Sequence, residues 1–322
     1  MRLCYSGNLT CCGTHAIYSG FFQKWDYQDI FKFEAITTVP FGIVHHPDNP
    51  FRLFTCYCDP DFGLEYAFQV LDIPYRIHCS GSSSKAQEAL DVLDEWLKEG
   101  NVVLGPLNME DLVYISNRNL LQAMDHYIIV CGTEGERYIV SDSEGMCLTR
   151  IDKEDLVKAW AADKIPEGRG SYIMRQVLTD SLPVFEKEVY REAGKQIVVN
   201  LNECEKDDNC GSNGLYKLAE NQERILSNAN LKRRMCFDIP VRIQRCEIIS
   251  YYLEQVCSVF QKQTIKLECE KAADLLREQI RGYNYVLWGI RKSDSKSFEP
   301  FRDIARSEHE LRMIFGNIRE EM

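Results

Sequence analysis

No stretch of this sequence is apolar for long enough to cross a membrane. Within the first twenty residues Gly7, Asn8, Thr10, Gly13 and His15 break any hydrophobic run of signal length. The expectation is a protein that is neither exported nor membrane-bound, in the cytoplasm. An excess of positive charge is also missing: 38 Lys and Arg face 49 Asp and Glu, a net charge of −11. That argues against nonspecific nucleic-acid binding, which needs clustered cations. There is no paired CxxC arrangement. Cys56-Tyr57-Cys58 and Cys204 with Cys210 are the nearest approaches to metal-ligand spacing, and two separated half-motifs would have to meet, so no metal is expected. Internal repeats and low-complexity tracts are absent too. Histidine is scarce, six in 322 residues, so few side chains can serve as an imidazole base.

Cysteine, by contrast, is plentiful. Fourteen irregularly spaced thiols without a targeting segment fit a reducing compartment in which most are free and packed as small hydrophobes. The acidic balance is uneven as well. Residues 1–180 hold 15 Lys and Arg against 26 Asp and Glu, whereas the remainder balances 23 against 23. A cationic substrate would be electrostatically comfortable in the first half.

Hydrophobic periodicity divides the chain in a similar way. Ala16, Ile17 and Phe21 share a helical face, so a helix starts at Thr10 or Cys11. Ser84-Lys85-Ala86-Gln87 reads as a capping box ahead of an apolar stripe, Leu90, Leu93, Trp96 and Leu97, that stops at Gly100. A short strand follows from Val102 to Gly105. Tyr127 to Cys131 and Arg137 to Ser141 flank a hairpin-like loop, and Lys153 to Ala161 is helical in pattern. Beyond about Gln176 strand signals thin out. A helix-compatible stretch runs from Pro183 to near Gly194, an acidic loop covers 203–213, and long helix-period segments span about 215–260 and 264–281. The expected architecture is α+β: a catalytic domain over residues 1–176 followed by a mainly helical domain over 177–322.

The candidate chemistry lies in the first of these. Cys12 falls in the first helical turn, where unpaired N–H groups and the helix dipole favour a thiolate, and Gly13 leaves room for a reacting carbonyl. Cys11 is equally a thiol but sits one residue outside that turn. His126 opens a strand, and the hairpin beyond it can bring Asp142 back beside the ring, although Asp125 could also orient it. His15, three residues past Cys12 on the same helix, points along the helix and is a poorer base. A tetrahedral intermediate needs oxyanion donors. The Cys12 N–H is one candidate and the Asn8 side chain another, though Asn8 between Gly and Leu is more often a turn residue. The order Cys, His, Asp is the layout of a papain-like thiol catalyst.

The Cys12-Gly13-Thr14-x-Ala16-Ile17 start, the stretch from Val103-Leu104-Gly105-Pro106-Leu107 to Asp111-Leu112-Val113-Tyr114, and the block from His126-Tyr127 to Asp142 resemble the butirosin biosynthesis H-type proteins. These are papain-like enzymes of natural-product pathways. The resemblance covers most of residues 1–175. It implies Cys12 as nucleophile, His126 as base and Asp142 as its orienter. It further implies transfer of an acyl or aminoacyl group from the phosphopantetheine thioester of an acyl or peptidyl carrier protein to a small-molecule amine, giving an amide, with no bound cofactor. The chain is similar in this respect to the thiotemplated enzyme that builds the closthioamide chain. A thiol hydrolase, peptidase or amidase, would use the same three residues with water as acceptor. Carrier proteins are acidic, so docking is expected on local positive charge, and Lys232-Arg233-Arg234 is the densest basic cluster.

Overall fold

The structure is a computed structural model that describes residues 11–22, 24–46, 53–116, 118–122, 124–165, 169–294 and 298–322. Its helices are α1 (Cys12–Phe21), α2 (Tyr27–Ile36), α3 (Pro60–Val70), α4 (Ala86–Trp96), α5 (Lys153–Trp160), α6 (Lys187–Cys204), α7 (Gly211–Glu220), α8 (Gln222–Ser227), α9 (Ala229–Phe260), α10 (Gln263–Lys292) and α11 (Pro300–Glu321). Its strands are β1 (Ile43–Val44), β2 (Thr55–Cys56), β3 (Tyr75–Cys79), β4 (Val102–Asn108), β5 (Asp125–Glu134), β6 (Arg137–Asp142), β7 (Met146–Asp152) and β8 (Ile173–Val177). Mixed α and β content is therefore established, with a sheet-containing part and a helical C-terminal part.

The chain packs as two units, Met1–Ile30 with Leu71–Pro183, and Phe31–Val70 with Val184–Met322. The expected boundary at 176/177 compares with 183/184. A larger difference is that residues 31–70, expected in the first domain, pack with the helices. The physical reason is visible in their partners. Arg242 of α9, fully buried, donates through Nη1 to the Pro40 carbonyl at 2.7 Å, and Phe41 stacks edge-on against Tyr252 and Phe315. No sequence periodicity announces contacts made across 200 residues.

The first unit is built on one antiparallel six-stranded sheet in the order β3-β8-β4-β5-β6-β7. Val102, Leu104, Ile128, Val130 and Met174 form a core with Leu93 of α4 and with Leu156, Ala159 and Trp160 of α5. α1 packs on β4 and β5, and a Cβ on its Gly20 would touch Ile129 and Val103 at ordinary van der Waals distance. The far end of α1 is tied down as well. Asn101, just ahead of β4, donates its amide to the Gly20 carbonyl at 2.7 Å, satisfying a carbonyl that the helix end leaves open. Thus the helix carrying Cys12 is fixed to β5, the strand that carries His126, and to its neighbour β4.

The capping box expected at Ser84 does not form. Ser82 instead accepts from the Ser84 N–H to open a 3₁₀ turn over Ser83–Lys85, α4 starts at Ala86, and Gln87 turns to Asp91 at 2.8 Å. A local hydroxyl two residues upstream outcompetes the box. β4 runs on to Asn108, beyond the expected strand, with a register shift between Leu104 and Leu107. At that shift Gly105 has φ +154°, and a Cβ there would lie 2.3 Å from the Tyr127 ring. Only glycine fits.

In the second unit α9, α10 and α11 pack side by side around a buried polar cluster. Arg242 meets Glu308 at 3.3 Å, and Gln279 donates to Ser307 and Glu308, each at 3.2 Å. The segment 215–260, expected as continuous helix, is broken at Asn221 and at Asn228. Asn228 caps α9 by accepting from the Asn230 and Leu231 N–H groups at 2.9 and 3.1 Å. Among the described residues no helix is long and apolar enough to cross a membrane, and no cluster of three or more His, Cys, Asp or Glu could hold a metal ion.

Candidate functional site

Cys12 is the first residue of α1, and Cys11 is its N-cap, whose carbonyl accepts the first intrahelical bond from the His15 N–H at 2.9 Å. Cys11 is buried, whereas Cys12 is half-buried. The helix-start geometry therefore separates the two thiols as the spacing suggested.

His126 stands in β5 opposite Leu107, and Asp142 ends β6 opposite Ile128. The two are diagonal neighbours across the β5–β6 pair rather than directly opposed. Their side chains meet: the His126 Nε2 and the Asp142 Oδ1 are 2.7 Å apart, with both residues buried. The ring is also electrostatically coupled to the Cys12 sulfur beside it. With Nε2 engaged by the carboxylate, Nδ1 is the nitrogen left for sulfur. Cys12 is thus joined to a His126–Asp142 pair that lies more than 110 positions further along the chain.

Asp142 is held by more than the imidazole. Its Oδ1 also accepts from the Glu144 N–H at 2.9 Å, and its Oδ2 accepts from the Tyr114 hydroxyl at 2.8 Å. Burial opposes the Asp142 charge, but His126, Glu144 and Tyr114 together hold its carboxyl below the ordinary range. Burial likewise opposes an imidazolium at His126. There the Asp142 carboxylate, followed by the Cys12 sulfur, outweighs it and lifts the His126 pKa well above its usual value. Burial pushes the Cys12 thiol up, while the charge of His126 and its hydrogen bond pull it down, and Asp125 and Asp142 add to the rise. A neutral thiol and a thiolate facing an imidazolium are consequently coupled states of one site. Such an arrangement can deliver a sulfur nucleophile and hold the displaced proton beside it.

Asp125, the alternative orienter, acts on Cys12 through its charge, but the hydrogen bond to His126 belongs to Asp142. His15 is buried and pairs with Ser19 one turn along α1, at 3.1 Å, with its ring edge-on to Trp25. Asn8 lies outside the described residues. Of the basic cluster, Lys232 donates to the Ser293 hydroxyl at 2.7 Å, and the Arg234 Nε reaches both Asp238 carboxylate oxygens at 2.9 Å. Arg233 is the exposed member. Adjacent basic residues on a helix point in different directions, so a run of three in sequence is not a patch of three in space.

Tyr114 and the Glu144 amide were not among the expected site residues. Glu144 follows Asp142 by two positions and could have been read as an Asx-type turn. Tyr114 gives no spacing signal.

No family model matches the chain. It is 28% identical over 162 residues to YobF, an uncharacterised protein of Bacillus subtilis strain 168, an alignment that takes in 48% of this chain and 51% of that protein. The chain spans about half the length of the curated relative it matches.

Proposed function

We infer that this protein is a cysteine-dependent acyltransferase with a papain-like catalytic unit, using Cys12 as nucleophile, His126 as base and Asp142 as orienter. The observation that carries this reading is the continuous contact chain from the Cys12 sulfur through the His126 ring to the Asp142 carboxylate, at the start of a buried helix.

In the first half-reaction the Cys12 thiolate attacks the carbonyl of an acyl thioester. The carbon–sulfur bond to the donor breaks, an acyl–Cys12 thioester forms, and the proton held on His126 passes to the departing thiolate. In the second, an amine attacks the acyl–Cys12 carbonyl, giving up a proton to His126, and the Cys12 sulfur leaves as a thiolate beside the imidazolium. The first exchange trades one thioester for another and is near neutral in energy, so positioning and oxyanion stabilisation dominate the rate. The Cys12 N–H, at a helix start, is the oxyanion donor favoured by its place. The donor in this reading is the phosphopantetheine thioester of a carrier protein, as the resemblance implies.

The test is product analysis. Acyl thioesters of N-acetylcysteamine, and a carrier domain loaded with the same acyl group, are incubated with the protein in the presence and absence of primary amines. Amide formation that depends on Cys12 is expected. Free acid at the same rate with and without amine would make the protein a thiol hydrolase instead, and turnover by Cys12→Ala at the normal rate would refute both.

A further inference from the structure

The carboxylate behind His126 is met by a third element of the first unit. Tyr114 lies beyond β4, in a segment that is neither strand nor helix, yet its hydroxyl sits 2.8 Å from Asp142 Oδ2. That segment is clamped. Asp111, buried, receives the Lys158 Nζ on Oδ1 and the Lys164 Nζ on Oδ2, each at 2.8 Å, and the Ile115 N–H closes onto the Leu112 carbonyl at 3.0 Å. The Tyr114 ring also packs against the sheet core. A side chain so anchored is a fixed donor rather than a passing contact.

We propose that Tyr114 is a positioning residue for the thiol site, holding Asp142 so that one oxygen faces His126 Nε2 and the ring's other nitrogen faces Cys12. This inference rests on the acyltransferase reading for its consequence in turnover, but not for its geometry. His126 and the Glu144 amide meet the carboxylate at Oδ1, and Tyr114 meets it at Oδ2. Two effects follow. The Tyr114 bond stops the carboxylate rotating about its terminal torsion, a soft degree of freedom. It also spreads the negative charge, so the carboxylate grips the imidazolium less tightly and the ring can release its proton when the leaving group needs it. Burial, followed by the Asp142 charge, keeps the phenol far above its usual range, so Tyr114 remains a donor throughout the working pH range.

Tyr114→Phe removes one oxygen and keeps the ring, so packing is preserved. Three readouts are taken on the full chain: the His126 titration by NMR of 15N-labelled histidine, assigned with His126→Gln; iodoacetamide alkylation of Cys12; and turnover of acetyl-N-acetylcysteamine with a primary amine. In Tyr114→Phe the His126 midpoint is expected to move to higher pH, because Asp142 becomes more basic. Turnover is expected to fall by about tenfold, the usual scale for a residue that orients a reacting group through a neighbour. Replacing Tyr114 alone with 3-fluorotyrosine, a stronger donor of nearly the same shape, is expected to move the midpoint to lower pH. A midpoint that stays put in both proteins overturns the proposal, as does unchanged turnover in Tyr114→Phe. If the wild-type protein turns over no thioester, the acyltransferase reading fails by itself. The role of Tyr114 is then decided by the midpoint and by alkylation, which a purely structural tyrosine would leave unmoved.

Discussion

Replacing Asp142 with Asn tests the buried His126–Asp142 pair through stability, without assuming any reaction. The two side chains meet at 2.7 Å and are at most 3% exposed. Removing the charge while keeping the shape leaves His126 buried without its counter-ion, a loss of about 3 kcal/mol by analogy with other broken buried pairs. The pH dependence fixes the sign. His126 has a folded pKa above its ordinary 6.5, so its contribution is complete below that value and is lost as pH rises through the raised pKa. Asp142 has a folded pKa below its ordinary 3.8, so its contribution is complete above that value and is lost as pH falls through the lowered pKa. The difference between wild type and Asp142→Asn is therefore greatest between pH 3.8 and 6.5. It shrinks on the alkaline side. Three of the four tryptophans, Trp25, Trp96 and Trp160, belong to the first unit, so thermal unfolding followed by tryptophan emission reports mainly on it. The expected fall in Tm within the window is roughly 6–12 °C. A difference that is absent there, or the same from pH 4 to pH 10, would refute the pairing.

Four further outcomes follow from the same geometry. His126→Ala removes the group that lowers the Cys12 pKa, so iodoacetamide labelling of Cys12 at pH 7 should slow by about tenfold or more, as followed by peptide mapping. Gly105→Ala places a Cβ against the Tyr127 ring at positive φ, and a loss of about 3 kcal/mol or more is expected in denaturant titration. Glu308→Ala strands the buried Arg242 guanidinium and should cost the helical unit about 3–5 kcal/mol. Asn228→Ala removes the α9 cap at a cost of about 1 kcal/mol, read from the same titration.

How much of this was legible in the sequence depended on the range of the interaction concerned. The α1 start, the β5–β6 hairpin and α5 rest on local periodicity and turn chemistry, and they stand within a few residues of their expected places. The meeting of His126 with Asp142 was readable because a hairpin is a local device that fixes which residues lie near one another. Cys12 was readable as a helix-start thiol, although nothing in spacing alone brings it to His126. Tyr114 was silent, since its bond to Asp142 depends on where the chain goes after β4 and on the Asp111 clamp. The same holds for residues 31–70, whose packing on α9 and α11 is decided by Arg242, Tyr252 and Phe315 far along the chain. For the basic cluster, charge density along a helix says nothing about direction, and the Asp238 and Ser293 contacts of two of its three cations could not be read from the run.

The measurement closest to the central claim is intact mass spectrometry of the protein mixed with an acyl thioester, followed by peptide mapping. A single acyl adduct on Cys12, formed by wild type and by Cys11→Ala, removed by added amine and missing from Cys12→Ala, is the expected result. An adduct on another thiol, or none at all while product still forms, would contradict the assignment of Cys12 as the nucleophile.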